Sequence, residues 1–407
     1  MADGMSIQSL KKITDHEAFE GLKIIDVDSH FSEPHDLWTS RAPARMKEMV
    51  PRVMEKDGDK MWVVGEDQKV LHRASPTSVV GKDYNKIRGG DFLATNMDQV
   101  HQASWDLVER VKILDAFGIH SQVLYPNVGG TGFTLYASDD EDFRRTTVEI
   151  YNDVTLEAQA ATNGRIMPMT VTPFWSIEAA VKEVERCADL GSHGIVLGGD
   201  VHTAGVPHLG EEYWDPLWEL CVERDLPINF HIGNSEIAQI LYHKAAWPGY
   251  GPEKHLAVTS CSLYIDNARA IGNLIYSGVP HRHPKIKFVS VESGLGWLPF
   301  YLESLDYQLV ETACNETSFM DRAPSEYFKR NFHASFWFES GLGTGIQHVI
   351  DAIGDDNIMF ETDFPHPTCL YPGPLDFLEK SVVPLPDATR RKLVQDNAAK
   401  LYNVDIS

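Results

Sequence analysis

Basic side chains are scarce in this chain: 36 Lys and Arg stand against 59 Asp and Glu in 407 residues, a formal charge of −23. No Lys/Arg-rich run offsets that deficit, so a phosphate backbone would be repelled and nucleic acid is not an expected partner. Long apolar runs are missing as well. The longest are strand-length, well short of the ~20 residues that span a bilayer, so no membrane partner is expected. The opening Met1-Ala2-Asp3-Gly4 has neither a basic stretch nor an apolar one, and no secretory signal is read there. Cysteine is sparse: Cys187, Cys221, Cys261, Cys314 and Cys369 are widely spaced and form no CxxC. That pattern gives no disulfide framework and leads to the expectation of reduced thiols in a cytoplasmic protein. No period of 20–50 residues recurs, and no low-complexity tract is present. Core-forming residues are not lacking. At 43% hydrophobic and 10% aromatic, the chain can bury a large core, which excludes global disorder.

Eight short, β-branched apolar runs alternate with longer amphipathic segments. The runs are Lys23–Ser29, Ser121–Pro126, Ile166–Pro173, Gly194–Gly198, Pro227–Ile232, Ile286–Glu292, Ala334–Glu339 and Ile358–Thr362. Several are almost continuously apolar, as parallel strands covered on both faces must be. Between them Leu107, Val111, Leu114 and Phe117 share one helical face that stops at Gly118. A second helix is predicted from Ser176 to Leu190, with Ser176 as N-cap and Gly191 as its stop. Trp214–Arg224, Leu295–Thr312, Gly341–Ile353 and Asp387–Tyr402 have the same pattern. Eight strands alternating with helices predict an α/β fold, a (β/α)8 TIM barrel. A doubly wound sheet competes less well, because Asp26-Val27-Asp28-Ser29-His30 after the first run is no Gly-rich phosphate loop.

The expected organisation is an N-terminal extension (1–22) and one barrel domain (23–403) with long loops inserted at about 31–103 and 233–285. Both insertions leave strand C-termini, the catalytic face of such barrels, where long loops usually act as lids or contact surfaces. Within the first, Pro43–Ile87 is charged, Pro-punctuated and weakly periodic, and a lid is expected there.

Chemistry is expected where polar groups interrupt apolar strands. Asp28 and His30, two residues apart, point to the same side at the end of the first run. His231 ends the fifth run and Asp363 the eighth. A single Asp or His at a strand end is ordinarily a cap or a hydrogen-bonded structural residue. Four of them at one end of a barrel can converge on a cation, and buried carboxylates with none would carry a large desolvation cost. Two carboxylates with two imidazoles suit Zn, Mn or Fe rather than Ca. Asp26 and Glu361 share the inward parity but lie deeper. Glu339, His333, Asn127, Arg165 and Trp297 are weaker candidates on position alone. The His281-Arg282-His283 triplet precedes the sixth strand, so it is expected at the opposite, stability face.

Ile25-Asp26-Val27-Asp28-Ser29-His30 followed by Glu33-Pro34 resembles the opening motif of the amidohydrolase superfamily. The similarity is strongest to the branch with the aminocarboxymuconate semialdehyde decarboxylase group, amidohydrolase family 2. It runs from about residue 22 to 403. It includes Gln122-Val123-Leu124-Tyr125-Pro126, Tyr151-Asn152-Asp153, Leu226–Gly233 and His283–Val289. Further along it takes in Glu292-Ser293-Gly294, Thr362-Asp363-Phe364-Pro365-His366 and Asn397–Tyr402. The resemblance implies one divalent metal held by Asp28, His30, His231 and Asp363, a small-molecule substrate and a homodimer. The family carries His or Glu where this chain has Asp28. The fourth run has no Lys to bridge a second metal, which favours a mononuclear site.

The decarboxylase members of that branch usually carry a His on strand six, where this chain has Glu292. That difference makes hydrolysis the expected reaction. A metal-activated water would attack a C–N or C–C bond of a small, cyclic or aromatic substrate. Asp363 would move the proton, Glu292 would share or orient, and His366 would donate to substrate. The alternative within the same class of site is a non-oxidative decarboxylase of an aromatic or unsaturated acid, for which a cationic carboxylate clamp is expected. The alternative of another class is a non-catalytic metal- or ligand-binding barrel.

Overall fold

The computed structural model describes residues 16–128, 138, 140–243, 247–340 and 346–406. The expected N-terminal extension and the first residues of the helix expected at Gly341–Ile353 fall mostly or wholly outside these.

All eight predicted runs are parallel strands. The first splits into β1 (Ile24–Asp26) and β2 (His30–Phe31). After an inserted antiparallel unit of β3 (Arg52–Lys56), β4 (Asp59–Val64) and β5 (Lys69–Arg73) comes β6 (Ile119–Pro126), which pairs with both β1 and β2. The third run is β7 (Ile166–Pro168) and β8 (Thr170–Val171); β7 pairs with β6 and β8 with the next strand, so the two halves carry the sheet across Met169. β9 (Ile195–Val196), β10 (Ile228–His231), β11 (Phe288–Val291), β12 (Phe332–Phe336) and β13 (Ile358–Phe360) follow in spatial order. The ring closes where the Val27 N–H donates to the Phe360 carbonyl (2.9 Å) and the Asp363 N–H to that of Asp28 (3.0 Å). The result is the expected (β/α)8 barrel.

Local sequence explains the helix ends. Asp106 accepts from Val108 and Glu109 N–H groups (both 3.0 Å) to open Leu107–Phe117, and Gly118 closes it at φ +70°. The Ser176 hydroxyl accepts from the Ala179 N–H at the start of Ile177–Asp189. The helices Asp215–Glu223 and Leu298–Glu311 also lie where expected. The segment expected as one helix at Asp387–Tyr402 is three consecutive turns of different pitch: α at Asp387–Arg391, π at Lys392–Asp396 and α again at Asn397–Leu401. The helix Glu141–Ala161 was not singled out from the sequence.

Pro43–Ile87 is not a lid. Its three-stranded sheet drives Trp62 and Val64 into the core, where Trp62 meets Trp38 edge-on at 5.6 Å, with Val50, Ala74 and Val79 buried in the same cluster. The charged start of β4, Asp59 and Lys60, is exposed while Trp62, Val63 and Val64 at its end are all buried, and the exposed charges are what make the segment look loop-like. The second long connection is largely helical: Glu236–His243, Pro252–Leu263 and Asn267–Tyr276. Among the described residues no helix is long and apolar enough to cross a membrane.

Candidate active site

The strand C-termini bring the four predicted ligands to one spot. His231 closes β10, and its Nδ1–H donates to the Ile232 carbonyl (2.8 Å), which leaves the Nε2 lone pair facing the barrel mouth. His30 opens β2, and its Nε2 lies 2.9 Å from that of His231. Asp28 Oδ1 stands 3.6 Å from His30 Nε2 and 3.5 Å from His231 Nε2. Asp363 Oδ1 approaches His30 Nε2 at 3.7 Å. Glu292 adds a group assigned from sequence only to proton handling: its Oε2 is 3.2 Å from His231 Nε2. Glu292 and Asp363 both take positive φ, +52° and +59°. In non-glycine residues this left-handed turn is uncommon, and here it swings two carboxylates off the strand ends toward the imidazoles.

One donor atom from each of Asp28, His30, His231 and Glu292 lies within 4.8 Å of the others, and the same holds for His30, Glu292, Asp363 and His366. The two sets share His30 and Glu292. Both Asp28 carboxylate oxygens are buried with no hydrogen-bond partner. Burial and the neighbouring Asp363 and Asp26 push the Asp28 carboxyl well above its ordinary range, and burial with Asp363 and Asp28 does the same to Glu292. Burial drives both imidazoles toward the neutral form, aided at His30 by His366 and His231. Unbonded carboxylate oxygens facing neutral imidazole lone pairs are costly alone and well matched to a cation. The nitrogen–oxygen donor set fits one divalent transition metal.

Beside this set stand His366 and Asp363. His366 stacks on His30 with ring centroids 3.6 Å apart. Asn127 Nδ2 donates to the Phe31 carbonyl (3.2 Å), so its Oδ1 faces His366 and accepts from Nε2–H at 2.6 Å. The other ring nitrogen, Nδ1, lies 3.0 Å from Asp363 Oδ1, while Asp363 Oδ2 accepts from the Thr368 hydroxyl (2.6 Å). That separation is an ion-pair distance, and Asp363 Oδ1 is buried with no hydrogen-bond partner.

The deeper acids are supports. Asp26 accepts from the Thr362 N–H (2.8 Å), the Thr362 hydroxyl (2.5 Å) and Gln122 Nε2 (2.7 Å), tying β1 to β6 and β13; burial raises its carboxyl to about 7. Glu361 Oε2 accepts from the Glu292 N–H (3.2 Å) and so holds the turn that aims Glu292. The remaining sequence candidates divide. Asn127 lines the site cavity. Arg165 does not: it binds the carbonyls of Ile119 and His120 and the Asp115 carboxylate at the start of β6. Trp297 donates to the Ser293 carbonyl (2.8 Å) outside the cavity, and Glu339 caps the Leu295 and Gly296 N–H groups. His333, at the beginning of β12, is buried far from the mouth. Arg282 and His283 pair with Asp215 before β11, as expected of the stability face.

Above the polar cluster opens a cavity of about 650 Å³. Tyr125, Thr368 and Tyr264 line it and were given no role from sequence; Tyr125 lay within a recognised motif, but the other two carry no local signal.

Comparison with known proteins agrees with this picture. A family model described as Amidohydrolase matches residues 127–404. A gamma-resorcylate decarboxylase from Rhizobium sp. (strain MTP-10005) is 26% identical over 309 residues, 73% of this chain and 86% of its own; its counterpart from Rhizobium radiobacter is 25% identical with the same coverage. An amidohydrolase structure from Mycobacterium avium subsp. paratuberculosis K-10 superposes with a TM-score of 0.71 at 21% identity, covering 95% of this chain and 99% of the other. A 5-carboxyvanillate decarboxylase from Novosphingobium aromaticivorans DSM 12444, complexed with manganese, gives 0.66 at 19% identity, covering 95% and 97%.

These relatives overturn hydrolysis as the expected reaction, since those that are named for a reaction are decarboxylases. The expectation had rested on the absence of a His from the sixth strand. An imidazole does reach the site from another element: His366, beyond β13, stands beside Asp363 and against His30. With its barrel, its cluster of strand-end ligands and a family match over two-thirds of its length, the chain belongs to the amidohydrolase family.

Proposed function

We propose that this protein is a metal-dependent, non-oxidative decarboxylase of hydroxylated aromatic carboxylic acids. The observation that carries the reading is His366 Nδ1 standing 3.0 Å from Asp363 Oδ1, an imidazole–carboxylate pair placed to relay a proton beside the cation-fitting donors at the floor of a mainly apolar cavity. Kinship with two gamma-resorcylate decarboxylases supports it.

Asp28, His30, His231 and Glu292 would hold the metal, with Asp363 at its edge; manganese, zinc or iron suits that set. When bound, the metal supplies a positive charge that fixes the substrate's carboxylate and adjacent hydroxyl. No Lys or Arg is among the described residues lining the cavity, so the cationic side-chain clamp expected for a decarboxylase is not found among them, and the metal would have to take its place. Asp363 and His366 relay a proton to the ring carbon that carries the carboxylate. Loss of carbon dioxide then returns the bonding electrons to the ring, and solvent reloads the pair. Asn127 keeps the His366 ring in register through its 2.6 Å bond to Nε2.

A panel of hydroxybenzoates, assayed with metal-loaded protein for carbon dioxide and product mass, tests the reading. Loss of carbon dioxide from at least one acid is expected; products that have gained water would contradict it. We also propose a cytoplasmic homodimer. Phe300, Tyr307 and Val310 are 78%, 61% and 69% exposed on the helix Leu298–Glu311, an apolar patch suited to a second copy. Light scattering at the monomer mass would contradict that assembly.

A further inference from the structure

The cavity is larger than a one-ring acid needs. About 150 Å³ accommodates a benzene-sized ligand, whereas this chamber is about 650 Å³, within the range that takes drug-sized molecules. His30, His231, Glu292, His366, Asn127 and Thr368 gather at the polar cluster, while Thr77, Thr172, Asn234 and Ser260 add neutral polar groups to a lining that is otherwise mostly apolar. The far walls are apolar. They come from Phe92 and Leu93 of the first inserted segment, Phe174 after β8, and Leu256, Ala257 and Leu263 of the helix Pro252–Leu263.

The roof is built and held. The Gly90 N–H donates to Glu253 Oε1 (2.8 Å), joining the first insertion to the second over the chamber. Gly89, at φ +65°, lies so close that a Cβ there would come within 2.5 Å of the same oxygen. This bond occupies Glu253, the only carboxylate among the described lining residues besides Glu292. Glu253 itself is exposed to solvent, and the described walls between it and the donors at the floor are mostly hydrocarbon and aromatic.

We infer that the substrate is an aromatic acid bearing a bulky apolar extension, an alkyl chain of several carbons or further rings, which lies between Phe92, Phe174 and Leu256 while the carboxylate faces the metal donors. The inference rests on the decarboxylase reading for the acid end and on the chamber for the rest. A small polar acid would leave most of the apolar wall in contact with ordered water. An extended one buries that wall, and transfer of apolar area supplies binding.

Calorimetric titration of the metal-loaded protein with 2-hydroxybenzoates carrying hydrogen, propyl, hexyl or phenyl, at position 4 and in a second series at position 5, tests the inference. Carbon dioxide release is measured in parallel. Binding should tighten on the order of threefold per added methylene, so that the hexyl acid binds at least 30-fold better than the unsubstituted acid in one series. Leu256→Trp, which fills the chamber, should remove most of that gain. Equal affinity across both series overturns the extension whether or not carbon dioxide appears. A steep gain with no carbon dioxide from any acid upholds the apolar chamber and sinks the decarboxylase reading.

Discussion

Asp363→Asn separates the two jobs this carboxylate can perform. The substitution preserves the fold for reasons visible at the site. The position has φ +59°, a left-handed conformation that Asn accepts as readily as Asp. The amide oxygen can still accept from the Thr368 hydroxyl, now 2.6 Å from Oδ2. Its NH2 can donate to His366 Nδ1, which lies 3.0 Å from Oδ1 and is free to accept once Nε2–H is committed to Asn127. No buried group loses its partner, so the stability change should stay within ~1 kcal/mol. The four other donors remain, so metal content should persist. What disappears is the carboxylate's ability to relay a proton with Nδ1. General acid catalysis of this kind contributes ~10²–10⁴-fold, so kcat should fall by about 10²-fold or more with KM little changed. The assay pairs carbon dioxide release with elemental analysis and a thermal melt of the same sample. Near-normal kcat at full metal occupancy refutes the proton assignment. Loss of the metal would make Asp363 chiefly a ligand.

Two further outcomes are expected. His231→Ala removes an imidazole whose lone pair is aimed by the Ile232 carbonyl; purified protein should drop from about one metal per chain to little or none, and full retention would show that His231 is not a ligand. His333 is held by burial at a pKa of about 3, against 6.5 when exposed. The unfolded chain therefore binds a proton that the folded chain does not, and His333 adds nothing against stability above pH 6.5 but costs roughly 1.4 kcal/mol per unit as pH falls below it. His333→Gln should flatten the decline in melting temperature between pH 7 and 5; an unchanged slope counts against the burial argument.

The barrel was legible because parallel strands covered on both faces need continuous apolar runs, and Ile228-Asn229-Phe230-His231 or Ile358-Met359-Phe360 have little other use. The positions expected to hold a metal stood out for the complementary reason: Asp28, His231 and Asp363 break such runs where the strands end. The inserted sheet of β3–β5 was not, because Asp59, Lys60 and Lys69 face solvent and only the short run Trp62–Val64 signals its buried side. Glu292 could be placed on its strand, but the left-handed turn that brings it within 3.2 Å of His231 belongs to backbone geometry. His366 shows what strand patterns miss: it lies in the loop beyond the last strand, yet its ring stacks on His30 and reaches Asp363. The shape of the apolar chamber depends on two insertions meeting at Gly90 and Glu253, residues 163 positions apart, and no local pattern encodes that.

The central claim is that a ring carbon exchanges its carboxylate for a proton, with no water added. Turnover of a hydroxybenzoate accepted by the metal-loaded protein, run in D2O and followed by mass spectrometry and NMR, tests this directly. The account predicts one carbon dioxide released per product and one deuterium at the carbon that carried the carboxylate. A product bearing oxygen from solvent, or one that keeps its carboxylate, would contradict it.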